Sequence, residues 1–229
     1  MGSIEIIPAV IPNSFETIAR IAKQVSGSVS VMQIDVVDGR FTPSVSWPYT
    51  GEGLKNFLDQ GKRLPLYAGL SYEIDLMIER PEEVMDLWLA LGVKRIIVHI
   101  ESTKEMRSIL KMIRESGSDT EIGIALGLDT SVNEVVPYLE DIDFVQCMGI
   151  ARIGYQGEAF DDRVVEQINL LRKHRSELII SVDGGVSLGT AEKLLNAGAR
   201  RLVSGSALLH SGNFEKTLAQ FKTIGETYA

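Results

Sequence analysis

The chain has one cysteine and three histidines in 229 residues. A lone thiol, Cys147, excludes an internal disulfide framework, and so few cysteines and histidines cannot build a Cys/His zinc site. Cationic residues are also in deficit. Lys and Arg number 23 against 31 Asp and Glu, for a formal net charge of −8 and a pI of about 5.0. That balance argues against nucleic acid or an anionic membrane surface as a partner. No apolar run approaches the roughly 20 residues a membrane-crossing helix requires. The N-terminus lacks the basic-then-apolar pattern of a secretory signal. With the single thiol, this leads to the expectation of a cytoplasmic location. No lysine falls near a predicted strand end except Lys94, at the wrong end of its strand, so a Schiff-base aldolase is not expected. No Ser/His/Asp or Cys/His set has strand-end placement, and Cys147 reads as a small buried hydrophobe.

What remains is ordinary globular composition, 45% hydrophobic and 24% charged, enough for a large core. Short apolar, β-branched runs recur at residues 4–10, 29–36, 71–77, 95–100, 121–126, 144–148, 178–182 and 201–203. Helical patterns follow them near 13–25, 51–60, 81–91, 103–116, 131–139, 161–174, 189–197 and 214–227. Ser or Asn starts and Gly stops punctuate several of these patterns. At 131–139, Ser131 and Glu134 have the spacing of a capping box. Strands alternating with helices imply parallel pairing. Eight such units without a linker predict an α/β fold, a (β/α)8 TIM barrel forming one domain over residues 1–229. An open doubly wound sheet is the runner-up. Against it, residues 8–12 read Pro-Ala-Val-Ile-Pro where a glycine-rich turn would be required.

The stretch Val31 to Phe41 reads as a buried strand running into a turn at Asp38-Gly39. Side-chain alternation puts Gln33 and Asp35 on one face, opposite Ile34 and Val36. An amide and a carboxylate inside an apolar strand are costly unless paired or ligand-bound. Further polar residues come from predicted strands: Glu73 and Asp75 from the third, on one face with Met77, His99 and Glu101 from the fourth, and Asp183 from the seventh. Chemistry in such barrels sits at the C-terminal strand ends. Carboxylates converging there repel one another and require a cation, shared protons or hydrogen-bond donors. Any one of these residues alone could be a satisfied core group. The set, at successive strand ends, favours an active site.

A second cluster is made of backbone. Gly154-Tyr155-Gln156-Gly157 follows strand six, Asp183-Gly184-Gly185 strand seven, and Ser204-Gly205-Ser206 strand eight. Glycine admits close approach of N–H groups to an anion, and loops after strands seven and eight commonly hold phosphate in this fold. Each turn alone is a weak signal; the three in succession predict a phosphate cradle. Arg152 could add a charge, with an exposed solvated side chain as the simpler reading.

These residues resemble the ribulose-phosphate 3-epimerase family over nearly the whole chain, which implies a ribulose-phosphate-binding barrel. Ile34 to Phe41 is similar to the family motif V-D-V-M-D-G-x-F. Asp75 to Glu82 is similar to H-L-M-I-x-x-P, and His99-Ile100-Glu101 to H-x-E. Gly154 to Phe160 is similar to G-F-G-G-Q-x-F, and Asp183 to Val186 and Ser204 to Ala207 to D-G-G-V and A-G-S-A. The resemblance implies an isomerase acting through an enediolate on a pentulose or related ketose phosphate. Asp35 and Asp183 would be the acid–base pair. Gly154, Gly157, Gly184, Gly185, Gly205, Ser206 and Met77 would bind substrate and phosphate. In the family the two aspartates and two histidines hold a divalent metal. The histidine places are Gln33 and Asp75 here. A first-strand serine is Ala9, a methionine is Val37, and a loop glutamine is Glu158. The resulting ligand set, Gln33, Asp35, Asp75 and Asp183, is all oxygen and suits magnesium or manganese rather than zinc or iron. The alternatives are that no metal is bound and the chain is a phosphosugar-binding paralogue without catalysis, or that the barrel acts on a different phosphorylated substrate. Homo-oligomers are common in the family, and the oligomeric state stays open.

Overall fold

The computed structural model describes residues 4–228; Met1 to Ser3, at the head of the expected domain, and Ala229 lie outside the described residues. Eight strands close into a barrel in chain order. They are β1 Glu5–Val10, β2 Val31–Val37, β3 Ser71–Met77, β4 Arg95–His99, β5 Glu121–Leu126, β6 Phe144–Met148, β7 Ile179–Asp183 and β8 Arg201–Ser204. The helices are α1 Phe15–Val25, α2 Gly53–Asp59, α3 Met85–Ala90, α4 Met106–Glu115, α5 Arg163–His174, α6 Leu188–Ala197, α7 Ser206–Leu209 and α8 Phe214–Glu226. Contacts concentrate in two halves, Val10–Gly123 and the residues up to Ala9 together with those from Ile124 onward.

In the Val10–Gly123 half, β2 pairs parallel with β3, and β3 with β4. The register sets Gln33 beside Glu73, Asp35 beside Asp75, and Val37 beside Met77. Asp35 and Asp75 are therefore neighbours across the ladder on one face of the sheet. The opposite face carries Ile34, Val36, Ile74 and Leu76, all fully buried. Ser14 starts α1 by accepting a hydrogen bond from the Thr17 N–H at 3.3 Å, and the helix buries Ile18, Ile21, Ala22 and Val25. Glu73 separates from its neighbours on the same face. Its carboxylate meets the buried Arg95 guanidinium at 3.0 Å, and Arg95 also reaches Glu121 at 3.0 Å. Arg95 is the first residue of β4, so this ion network belongs to the start of the strands. Glu73 is a paired structural residue, while Asp75, two residues on, lies toward the C-terminal ends.

In the other half, β1 pairs with β8, β6 with β7, and β7 with β8, all parallel. Ser187 and Thr190 form a reciprocal capping box at the start of α6, and Gly198 ends it in the left-handed region at φ 112°. The Arg201 guanidinium covers the Phe144 ring at 4.6 Å and lies 3.3 Å from Glu5. The helix expected over 131–139 is instead two 3₁₀ turns, Val132–Glu134 and Val136–Tyr138. Pro137 lacks the N–H an α-helix needs there. Ser131 accepts from the Asn133 N–H rather than closing a capping box with Glu134. The short helix α7 was not expected, and it begins directly after the Ser204-Gly205 turn.

Candidate active site

Within the Val10–Gly123 half the side chains form a chain of contacts. Gln33 Nε2 donates to Asp35 Oδ1 at 2.6 Å, and both side chains are buried. The amide N–H that a same-face neighbour can supply therefore goes to the carboxylate, leaving the carbonyl end as the one suited to a cation. Asp75 lies beside Asp35 in register, and its Oδ1 stands 3.1 Å from His99 Nε2, both side chains fully buried. The ring N–H is off the line to the oxygen, so this contact is a charge pairing rather than a well-aligned hydrogen bond. His99 Nδ1 is 3.8 Å from the part-exposed Glu101 carboxylate. Burial is the largest single influence on His99 and pushes its pKa down. The charges and hydrogen-bonding groups of Asp75 and Glu101 together outweigh it and hold the imidazole up to about 10. The Phe41 ring packs over His99 at 5.3 Å between centroids.

The turn after β2 fixes the end of the strand that presents Asp35. Asp38 Oδ1 accepts from the Arg40 and Phe41 N–H groups at 2.8 and 3.0 Å, and its Oδ2 accepts from Glu79 N–H at 2.9 Å. This carboxylate joins the ends of β2 and β3. Gly39 has φ 75°, and a Cβ there would meet Val45 Cγ2 at 2.8 Å. Ser46, fully buried, accepts from Val37 N–H and donates to the Asp35 carbonyl, each at 2.9 Å. Sequence reading missed Ser46; its only signal is a small hydroxyl just before an aromatic residue in a Pro- and Ser-rich loop. Trp47 then anchors the loop among Phe15, Phe57 and Trp88.

The other half brings the glycine turns together by close packing. Asp183 ends β7, 9% exposed, and its carbonyl accepts from Gly149 N–H at 2.7 Å. A Cβ on Gly149 would lie 2.3 Å from the Gly184 carbonyl oxygen, and one on Gly185 would lie 2.7 Å from Phe160 Cα. Gly184 and Gly185 both have positive φ, 92° and 67°. Two successive left-handed residues are open to glycine and strained for most others. Gly154 and Gly157 also have φ 80°, and Gly157 has open space around it, so its glycine answers to the turn and not to a close neighbour. Gly205 packs against the Ala9 carbonyl and the Gln156 carboxamide. Ser206 opens α7 and is half-buried. Met77, at the end of β3, is 2% exposed. Cys147 is fully buried, with its thiol pushed up to about 12 by burial, so it is no nucleophile at neutral pH.

One carboxylate oxygen from each of Asp35, Asp75 and Asp183 lies within 4.8 Å of the others. Three buried carboxylates at that spacing repel unless a positive charge joins them. Their oxygen donors, with the Gln33 amide, fit a hard divalent cation such as magnesium or manganese.

The ribulose-phosphate 3 epimerase family model matches residues 5–209. The chain belongs to that family. A ribulose-phosphate 3-epimerase of Bacillus subtilis is 28% identical over 226 residues, covering 96% of this chain and 98% of that protein. The Schizosaccharomyces pombe ribulose-phosphate 3-epimerase is 25% identical over 221 residues, covering 96% and 92%. Solved structures similar in fold include a KGPDC from Streptococcus mutans. Its TM-score is 0.74 at 14% identity, over 98% of both chains. A 3-hexulose-6-phosphate synthase from Salmonella typhimurium has TM-score 0.71 at 15% identity, over 99% of this chain and 100% of that one. At those identities the structures speak to the (β/α)8 fold alone. The epimerase family thus embraces a barrel with Gln33 on β2 and Asp75 on β3. Among the described residues no helix is long and apolar enough to cross a membrane.

Proposed function

We propose that this chain epimerises a pentulose phosphate or a related ketose phosphate in the cytoplasm, as one barrel domain over residues 1–229. The observation that carries the reading is the grouping of Asp35, Asp75 and Asp183 in a chain of the epimerase family. Asp35 and Asp183 are the acid–base pair. One carboxylate removes the proton from the carbon beside the ketone, and the electron pair of that C–H bond becomes the enediolate. The other, protonated beforehand, returns a proton to the opposite face of the same carbon. The net change is inversion at that carbon, and no co-reactant is consumed.

Developing charge on the enediolate oxygens needs a preorganised positive partner. A divalent cation held by Asp35, Asp75, Asp183 and the Gln33 carbonyl would supply Lewis-acid stabilisation of that charge. The Gln33 N–H holds the Asp35 carboxylate in one orientation, through the 2.6 Å bond described above. His99 offsets the charge of Asp75 from behind. The glycine turns at Gly154, Gly157, Gly184, Gly185 and Gly205, with Ser206, take the phosphate on backbone N–H groups, and Met77 lines the apolar side. Wash-in of deuterium from heavy water into ribulose 5-phosphate tests the assignment. The wild type is expected to exchange one carbon-bound proton, and Asp183→Asn is expected to lose that exchange by at least about a thousandfold. Unchanged wash-in in Asp183→Asn would overturn it.

A further inference from the structure

The loop between β6 and α5 carries a polar side chain that the mechanism above leaves unused. Gln156 Nε2 donates to the Ala9 carbonyl at 3.1 Å, across 147 residues of chain. The same carboxamide lies directly against Gly205: a Cβ built there would be 2.6 Å from Gln156 Nε2 and 3.2 Å from both its Cδ and the Ala9 oxygen. The absence of a side chain at Gly205 is what admits the amide. Ala9, at the end of β1, has only a methyl group and is 2% exposed, so the end of β1 meets this amide with its carbonyl alone.

The rest of the loop is held in place independently. The Arg152 guanidinium stacks on the Tyr155 ring at 4.7 Å, and its Nη2 lies 3.4 Å from Glu158. Arg152 is exposed, as expected from sequence, and its contacts are made within the loop. Gly149 O accepts from Asp161 N–H at 2.9 Å, closing the base of the loop. With Arg152 and Glu158 paired to each other, Gln156 is the loop side chain applied to the β8 turn.

A primary amide has two N–H donors. One is used by Ala9. We infer that Gln156 gives the other to the substrate phosphate beside Gly205, and so is a specificity residue for phosphorylated substrates as well as the clip that holds this loop to β1. The inference rests on the phosphate assignment made above. It adds a neutral side-chain donor to a set otherwise made of backbone, and a hydrogen bond to an ionised acceptor is stronger than one between neutral groups.

The test compares the wild type with Gln156→Ala and Gln156→Glu. The probes are inorganic phosphate and ribulose 5-phosphate, with unphosphorylated ribulose as control. Dissociation constants come from calorimetry or thermal shift, and KM and kcat from epimerisation. Gln156 is exposed, so both variants are expected to fold. Gln156→Ala is expected to weaken both phosphate ligands about tenfold, with kcat within about twofold. Gln156→Glu, which offers a carboxylate in place of a donor, is expected to weaken them further and to spare ribulose. A residue that only clips the loop would move all three ligands and both variants alike, and that result overturns the inference. Variants that bind phosphate as the wild type does overturn it too, with the enzyme assignment intact. A wild type that binds neither phosphate nor ribulose 5-phosphate overturns both.

Discussion

The pairing of Asp75 with His99 gives a quantitative prediction. Both side chains are fully buried and their charged atoms are 3.1 Å apart. Unit charges at that distance attract by about 5 kcal/mol at an effective dielectric of about 20. Desolvation of both groups offsets much of this, so the pair as a whole is worth little; removing one partner is different, and typically costs about 3–5 kcal/mol. His99→Gln should therefore lose roughly 3 kcal/mol at pH 7, read as a fall in the urea midpoint at unchanged slope. The loss should depend on pH in a definite direction. The folded-state pKa of His99 is raised from 6.5 to about 10. Its contribution is then complete below pH 6.5 and fades as pH rises through 10, so wild type and variant should converge in stability toward the alkaline end. A double-mutant cycle with Asp75→Asn separates the pairing from simple loss of packing. A coupling of about 2 kcal/mol is expected at pH 7. Coupling under about 0.5 kcal/mol, or a difference that grows from pH 6.5 to 10, would show that the two groups do not act as a charged pair.

Two more predictions concern the groups that hold Asp35 in place and the metal. Ser46→Ala strands the Val37 N–H and the Asp35 carbonyl, both buried, and should cost about 1–3 kcal/mol; equilibrium denaturation that finds no loss would remove Ser46 from the account of how β2 ends. If the oxygen set holds magnesium or manganese as proposed, placing imidazoles there with Gln33→His and Asp75→His together should shift the metal preference toward zinc or iron, since nitrogen donors favour the later metals. Elemental analysis of purified protein checks this, and stoichiometric zinc in the wild type would refute the oxygen-donor reading.

Much of the fold was legible because parallel strands buried on both faces leave continuous apolar runs. Every strand was found within a few residues, and β2, β7 and β8 each end one residue later than predicted, so that Val37, Asp183 and Ser204 are strand residues. Local chemistry was read less well. Pro137 denied the helix at 131–139, and α7, with four residues, is too short for a helical period to show. Period-two alternation put Glu73 and Asp75 on one face correctly, but alternation says nothing about depth. Arg95 claims Glu73 near the start of the strands, and two residues of rise carry Asp75 toward the other end. The turns proposed to hold phosphate were visible as glycine, whereas the Gln156 to Ala9 contact joins residues 147 apart, and no local pattern records it. His99 stood out as polar at a strand end; that its partner is Asp75 follows only from the pairing of β3 with β4.

Charge explains why the substitution at position 75 is tolerable. The resemblance places histidines at 33 and 75, giving two carboxylates for a divalent cation, a neutral set. Gln33 in place of histidine leaves that balance unchanged. Asp75 adds a negative charge, which the set must offset. His99 does so from the adjacent strand, since its raised pKa keeps it an imidazolium at neutral pH. With the proposed divalent cation, three carboxylates and one imidazolium would again make a neutral set. Asp75 and His99 are therefore one unit, and a change at either alone leaves an uncompensated charge in a fully buried place. For the same reason the paired imidazole variant carries a cost that its metal preference does not report. With Asp75→His, His99 loses its carboxylate and faces a second ring, and its own pKa must fall for the cation to bind.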